Sequence, residues 1–157
     1  MFQSDTKNPG FYNPDDMKEA FDRYFEKSGQ SQPDNTEDYV KIAYDSLCFS
    51  FKYYIEKLEQ LSGKILDTFH VIGGGSQSDY LNQRIATICR KEVISEPVEG
   101  ATLGNIMIQG IAMGYIKDIQ EGREMVGNSY PGKHYLPGEE SELMKKKYGD
   151  YLKAKAG

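Results

Sequence analysis

The stretch FHVIGGGSQSDYLNQ, Phe69 to Gln83, sets a short apolar run against three consecutive glycines and then against an amphipathic segment. Phe69 to Ile72, ended by glycine, reads as a buried strand of a parallel sheet. Ser76 offers a helix cap with Asp79 three residues on, close to a capping box, and Leu81, Ile85, Ile88 and Cys89 make the inner stripe of the helix that follows. Strand, bare turn and helix in that order call for an α/β architecture. A helix N-terminus presents unpaired N–H groups and a positive dipole end, and glycines let phosphate or ribose oxygens reach the backbone. A tight turn that holds no ligand is the alternative.

The segments around this turn are mostly helical in pattern. NPDDMKEAFDRYFEKSG is predicted as a short helix with Asn13 as cap, Pro14 at the first position and Gly29 beyond the end. A loop, QSQPDNTED, leads to a longer helix in which Val40, Ala43, Leu47, Phe51, Tyr54, Leu58 and Leu61 recur at spacings of three and four, with Gly63 closing it. That stripe is expected to face the core. EVISEP reads as a second strand ended by Pro97. From Ala101 to Tyr115 the pattern is apolar on most sides, with Gly104, Gly110 and Gly114 at near-helical spacing, so a buried helix with close backbone approach is expected. DIQEGREMVGNSY is another short helix, followed by a loop through Pro131 and Pro137 and a solvated terminal helix. Two strands cannot cover so many apolar helix faces. Either further strands lie in the first 35 residues or part of the sheet is missing.

With 157 residues the chain can hold one domain with a real core, or form a piece of something larger. Its formal net charge is −5, and the only basic run is Lys145, Lys146 and Lys147, set among Glu139, Glu140 and Glu142 as on an exposed helix of mixed charge. Nucleic acid is therefore not an expected partner. Cys48 and Cys89 are far apart, each within a helical pattern, and read as reduced core residues of a cytoplasmic protein. The opening residues carry no signal-peptide pattern, and no run of about 18 apolar residues suggests a membrane span. His70 reads as a satisfied structural histidine of the first strand and His134 as solvated. No metal constellation stands out.

Two phosphate-binding patterns fit the glycine turn poorly. A dinucleotide fingerprint GxGxxG places Gly73 and Gly75 correctly but puts Ser78 at the third glycine. Glu96 does stand about 20 residues on, where the ribose-binding acid is expected, yet no third parallel strand follows. A P-loop needs Lys followed by Ser or Thr at the end of the turn, and none is there.

Five ordered blocks supply a better match. HVIGGGSQSDYLNQRIATIC followed by PVEGATLGNIMIQGIAMG, with FYNPDDMKEAFDRYFEKSGQSQP and LEQLSGK upstream and REMVGNSY downstream, resembles the C-terminal domain of the FGGY carbohydrate kinases, rhamnulokinase-like in subgroup, up to about residue 136. The resemblance implies part of an actin-like ATPase domain of the ribonuclease H-like class, helix-rich and with a short incomplete sheet. Residues 1–136 then form a partial C-terminal kinase domain and 137–157 a helical tail. It further implies ATP, with Mg²⁺ bound to it, as cofactor.

By the same resemblance Gly73, Gly74 and Gly75 fall on the turn that supports the adenosine and α-phosphate side, Gly74 at the nucleotide contact, with Ser76 and Gln77 in the same motif. Asn82 and Gln83 match a pair expected to pack the helix near the cleft. EGATLGN departs from the family pattern at Gly100, where Ala is common. No catalytic residue is assigned: the family's general base and its sugar-binding domain precede anything resembling residue 1, while Asp67 and Glu99 suit turn or cap roles. The sugar would be bound only by the complete kinase, and self-association or docking with the missing part is expected. A kinase for another sugar, a non-catalytic nucleotide-binding or regulatory module and, less well, a dinucleotide-dependent oxidoreductase fragment are the competing readings.

Overall fold

Short polar side chains and left-handed glycines set most helix ends of this chain, a computed structural model of which describes residues 8–97, 99–139 and 141–156. Helix α1, Met17–Lys27, is capped by Asp16, whose carboxylate accepts the Glu19 amide at 3.0 Å. The expected cap, Asn13, instead turns the chain at φ 52°, so the helix begins later than its Pro14 suggested. Helix α2, Thr36–Ser62, is capped by Asn35 and closed by Gly63 at φ 66°, a left-handed conformation that glycine adopts without a Cβ penalty. Strand β1, Thr68–Val71, precedes a 3₁₀ turn over Gly73–Gln77 and helix α3, Asp79–Cys89. Strand β2, Glu92–Ser95, helix α4, Gly100–Ala112, helix α5, Ile119–Ser129, strand β3, Lys133–Tyr135, and helix α6, Glu142–Ala156, complete the order.

The fold is helix-rich with a small mixed sheet of order β1-β2-β3. β1 and β2 are parallel, as the sequence pattern required, with Phe69 opposite Val93 and His70 opposite Ile94. β3 runs antiparallel to β2, pairing Val93 with Tyr135 and Ile94 with His134. This third strand lies in the segment read as a loop, because three residues between prolines are too short to show an alternation. Among the described residues no strand precedes β1. β1 is half-covered rather than buried, with His70 on the exposed side.

Two compact units are distinguished. One holds the described residues up to Ile65, Thr87–Cys89 and those from Gly138 on. Its core joins Phe21, Phe25, Tyr39 and Ile42, with Phe11 packed on Phe21 at a ring separation of 4.7 Å. The face that α2 buries is Tyr39, Ile42, Ser46 and Phe49, with Asp45 and Cys48 beside it. The expected stripe turns inward only in part: Ala43 packs on this core and Leu47 and Phe51 are half-buried, whereas Val40, Leu58 and Leu61 are 50%, 55% and 85% exposed. Both faces carry apolar residues three and four apart, so spacing alone could not choose between them. Cys48 and Cys89 are buried thiols outside any disulfide, with the Cys89 Sγ 3.9 Å from the Cys48 carbonyl oxygen.

Helix α6 is not the solvated helix its charge pattern suggested. Tyr148 and Tyr151 are buried, with their rings 5.6 and 5.8 Å from Phe49. The Tyr148 hydroxyl donates to Glu56 Oε2 at 2.5 Å, and burial together with that carboxylate pushes the phenol well above its ordinary pKa. Lys147 Nζ meets Asp45 Oδ2 at 3.2 Å with side-chain exposures of only 12% and 4%. Lys145, by contrast, pairs with Glu142 at the surface.

The second unit runs over Leu66–Ala86 and Arg90–Pro137. On one face of its sheet Phe69, Val93 and Tyr135 stand in register, Val93 fully buried. On the other face His70, Ile94 and His134 form a row, and each histidine finds a carboxylate: His70 Nδ1 lies 2.8 Å from Glu96 Oε1 and His134 Nδ1 2.7 Å from Glu92 Oε1. Helix α4 departs most from expectation, because Gly110 is its one buried residue and Ile106 and Ile108 are more than half exposed. Close approach occurs where Ile116 covers Gly110 and Met107 covers Gly122, while Gly104 stands open.

Removing one partner of a buried ion pair leaves an uncompensated charge, which costs about 3 kcal/mol or more. Lys147→Ala should therefore lower the free energy of unfolding by about 3 kcal/mol, whereas Lys145→Ala and Lys146→Ala at the surface should each change it by less than about 0.5 kcal/mol. Denaturant midpoints of the three variants measure the contrast, and equal midpoints would contradict the anchoring of α6 on Asp45.

Candidate functional site

The glycine turn follows the carboxyl end of β1 directly and runs into the N-terminus of α3. Gly73 takes φ +73°, so a side chain there would be strained whatever the space. Gly75 is bounded by Val71 and Leu81 at ordinary contact distance from a would-be Cβ. Gly74 differs from both: its φ lies outside the left-handed region, and a Cβ on it would meet nothing within 4 Å. Neither backbone strain nor packing among the described residues demands glycine at position 74.

Ser76 is buried, and its hydroxyl donates to the Gly73 carbonyl at 2.7 Å, closing the turn on itself. It does not cap α3. That role falls to Ser78, whose Oγ accepts the Leu81 amide at 3.2 Å, a contact worth about 1 kcal/mol. A five-residue 3₁₀ turn inserted between strand and helix moved the cap two places on, a shift that no residue preference announces. Gln77 and Gly74 lie on the exposed side of the turn.

Two residues of α3 tie the turn to the rest of its unit. Asn82 is fully buried and its Nδ2 donates to the Ser76 carbonyl at 2.9 Å. Its Oδ1 has no hydrogen-bond partner among the described residues, an arrangement that costs roughly 1–3 kcal/mol for a buried acceptor. Gln83 Nε2 reaches the Leu136 carbonyl at 2.8 Å. Asn82 is thus packed inside the unit, whereas Gln83 lies on the exposed side of α3.

At the start of α3, Asp79 binds Lys133 Nζ at 2.7 Å and accepts the Tyr135 hydroxyl at 2.6 Å. These hydrogen bonds, Lys133 first, hold its carboxyl below the usual carboxylate range. The contact crosses 54 residues of sequence and nothing local could have revealed it. A carboxylate in the first turn opposes a further anion there, and Lys133 offsets that charge.

Glu96 does not stand free as a ribose-binding acid; it is the partner of His70. Together they border a cavity of about 720 Å³ lined also by Ile72, Leu103, Met107 and Arg123, beyond the carboxyl ends of the two parallel strands. In open α/β sheets ligands collect at that end of the strands. Asp67 serves the backbone, its carbonyl accepting the Glu92 amide at 3.2 Å. Glu99 precedes α4 and accepts the Thr102 hydroxyl at 3.3 Å without capping the helix backbone. Among the described residues no group of three or more His, Cys, Asp or Glu side chains is arranged to hold a metal ion, and no described helix is long and apolar enough to cross a membrane.

Comparison with known proteins adds the family. The model of the C-terminal domain of the FGGY family of carbohydrate kinases matches residues 3–113. The rhamnulokinase of Bacteroides thetaiotaomicron is 36% identical over 81% of this chain, and that of Bacillus subtilis 35% over the same share. The rhamnulokinase of Enterococcus faecalis is 32% identical over 95%. The chain spans 26% of the length of the first two relatives and 31% of the third. Among solved structures, ligand-bound xylulose kinase from Lactobacillus acidophilus superposes with a TM-score of 0.48 at 19% identity, over 70% of this chain and 21% of that one. With the family match running from before α1 to the end of α4, through the glycine turn, this chain belongs to the FGGY family of carbohydrate kinases, in the C-terminal domain.

Proposed function

We propose that this chain is the nucleotide-side portion of a rhamnulokinase-like sugar kinase. In complete form such an enzyme transfers the γ-phosphoryl of ATP to the C1 hydroxyl of a ketose such as L-rhamnulose. The observation that carries the reading is the turn between β1 and α3, where Gly74 is exposed and open although nothing among the described residues requires glycine there. A ligand that approaches the backbone closely supplies the missing reason. The similarity to rhamnulokinases over most of the chain favours this sugar class over others in the family.

The residues present suit an adenine nucleotide at Gly73, Gly74, Gly75, Ser76 and Gln77. Gly74 leaves space for the nucleotide, while the Ser76 hydroxyl and Asn82 hold the turn's shape. Asp79, its charge offset by Lys133, stands at the start of α3 beside this turn. Mg²⁺ arriving with ATP would neutralise phosphate charge; the residues here contribute binding and orientation. Glu96 and Glu99 are engaged with His70 and Thr102, and no general base is assigned among the residues present.

Gly74→Val should leave the fold intact, since a Cβ meets nothing, and should weaken ATP binding at least tenfold. Calorimetric titration of parent and variant reads this directly; equal affinities would remove Gly74 from the site. The chain alone, given MgATP and L-rhamnulose, should release no measurable ADP, because loss of a general base alone costs on the order of 10² to 10⁴ in rate. A turnover near that of an ordinary kinase would show that the chain carries its own base and sugar site. The exposed apolar residues of α2 and of α4 should also make the isolated chain self-associate or dock onto the remainder of a kinase. Light scattering over a concentration series, with a dye for apolar surface, would contradict this by showing a monomer that binds no dye.

A further inference from the structure

Position 82 breaks the pattern of its helix. It shares the inward side of α3 with Ile85, Ala86 and Cys89, all buried, where an apolar residue would pack without polar atoms to satisfy. Asn is also a poor helix former in a helix interior. The chain nonetheless holds an asparagine there at zero exposure, with one arm of its carboxamide on the Ser76 carbonyl and the other arm, Oδ1, without a hydrogen-bond partner among the described residues. Where a sequence departs from a local rule at a cost to stability, the compensation is generally functional.

We infer that Asn82 is a positioning residue for the glycine turn: its Nδ2 holds the Ser76 carbonyl and so sets the peptide planes that present Gly74 and Gln77 to a nucleotide. The inference deepens the nucleotide reading of this turn and rests on it for the identity of the ligand. A peptide unit is planar, so fixing the Ser76 carbonyl also fixes the direction of the Gln77 N–H. The Ser76 hydroxyl grips the other end of the turn through the Gly73 carbonyl. Between these two anchors Gly74 is exposed, and a Cβ on it would meet nothing within 4 Å among the described residues. The Asn82 backbone amide bonds the Ser78 carbonyl at 3.0 Å, so turn and helix are held from one residue.

The test separates this role from plain core packing. Asn82→Leu keeps an apolar fill of similar size and removes both polar arms; Asn82→Asp keeps the shape and sets an oxygen against the Ser76 carbonyl. Hydrogen exchange of the amides of residues 74–77 should quicken at least tenfold in both variants, with amides of α2 unchanged, and titration with ATP should show a roughly tenfold weaker Kd. Thermal stability of Asn82→Leu should equal or exceed the parent's, because the partnerless acceptor is gone. Ile85→Val, which thins the same core without touching the turn, should leave the exchange of residues 74–77 as in the parent. Should Asn82→Asp fail to fold, Asn82→Leu decides alone. Parent-like exchange in Asn82→Leu would overturn the inference. So would equal acceleration in Ile85→Val, or a parent turn already exchanging at the random-coil rate. If the parent binds no ATP, the nucleotide reading fails while the exchange result still decides whether Asn82 positions the turn.

Discussion

The candidate site depends on β2. It is the middle strand of three, parallel to β1 on one side and antiparallel to β3 on the other, and it contributes the fully buried Val93. Without that pairing β1 would end in an unsupported turn, because four residues of strand supply too few hydrogen bonds to stand alone. β2 also orders the opposite face through Glu92 and Glu96, whose carboxylates hold His134 and His70. From β3, Tyr135 and Lys133 then reach Asp79 at the start of α3. The glycine turn is held by strand pairing on one side and by α3 on the other, and Asn82 is the buried link between helix and turn.

Helix faces without cover are the other constraint on this chain. In one unit α2 buries Tyr39, Ile42 and Phe49 but exposes Val40, Leu58 and Leu61; in the other α4 exposes Ile106 and Ile108. At about 25 cal/mol per Å² of apolar surface, such faces forgo stabilisation comparable to several side chains' burial. A sheet of three short strands is small for so many helices, which accords with a chain spanning about a quarter to a third of its rhamnulokinase relatives. Polar anchoring does part of the work instead, as the Lys147 to Asp45 pair and the Tyr148 to Glu56 hydrogen bond show for α6.

Much of this was legible beforehand. The strand, glycine turn and helix from Phe69 onward, the parallel pairing of the two strands and the positions of α2, α4 and α5 follow from local pattern, because turn chemistry and periodicity act within a few residues. The family was legible from five blocks in order. The inner stripe of α3 was read correctly at Ile85, Ile88 and Cys89, although Leu81 is only half-covered. Less visible were the cap shift from Ser76 to Ser78 and strand β3, since a 3₁₀ turn and a three-residue strand leave almost no periodic trace.

By itself the sequence determined the kind and order of the elements apart from β3, the glycine turn at Gly73 to Gly75 and membership of a kinase family, because each depends on neighbours a few residues apart or on a collinear motif. Only the tertiary structure decided which face of α2 turns inward, since apolar residues recur at helical spacing on both of its faces and the choice rests on the aromatic cluster contributed by α1. It also decided that Glu96 serves His70, that Asp79 is held by Lys133 and Tyr135, and that Lys147 is a buried anchor rather than a surface charge. Hydrogen bonds and ion pairs are fixed by contact in space, and these join groups 26 to 102 residues apart, where no local pattern reaches.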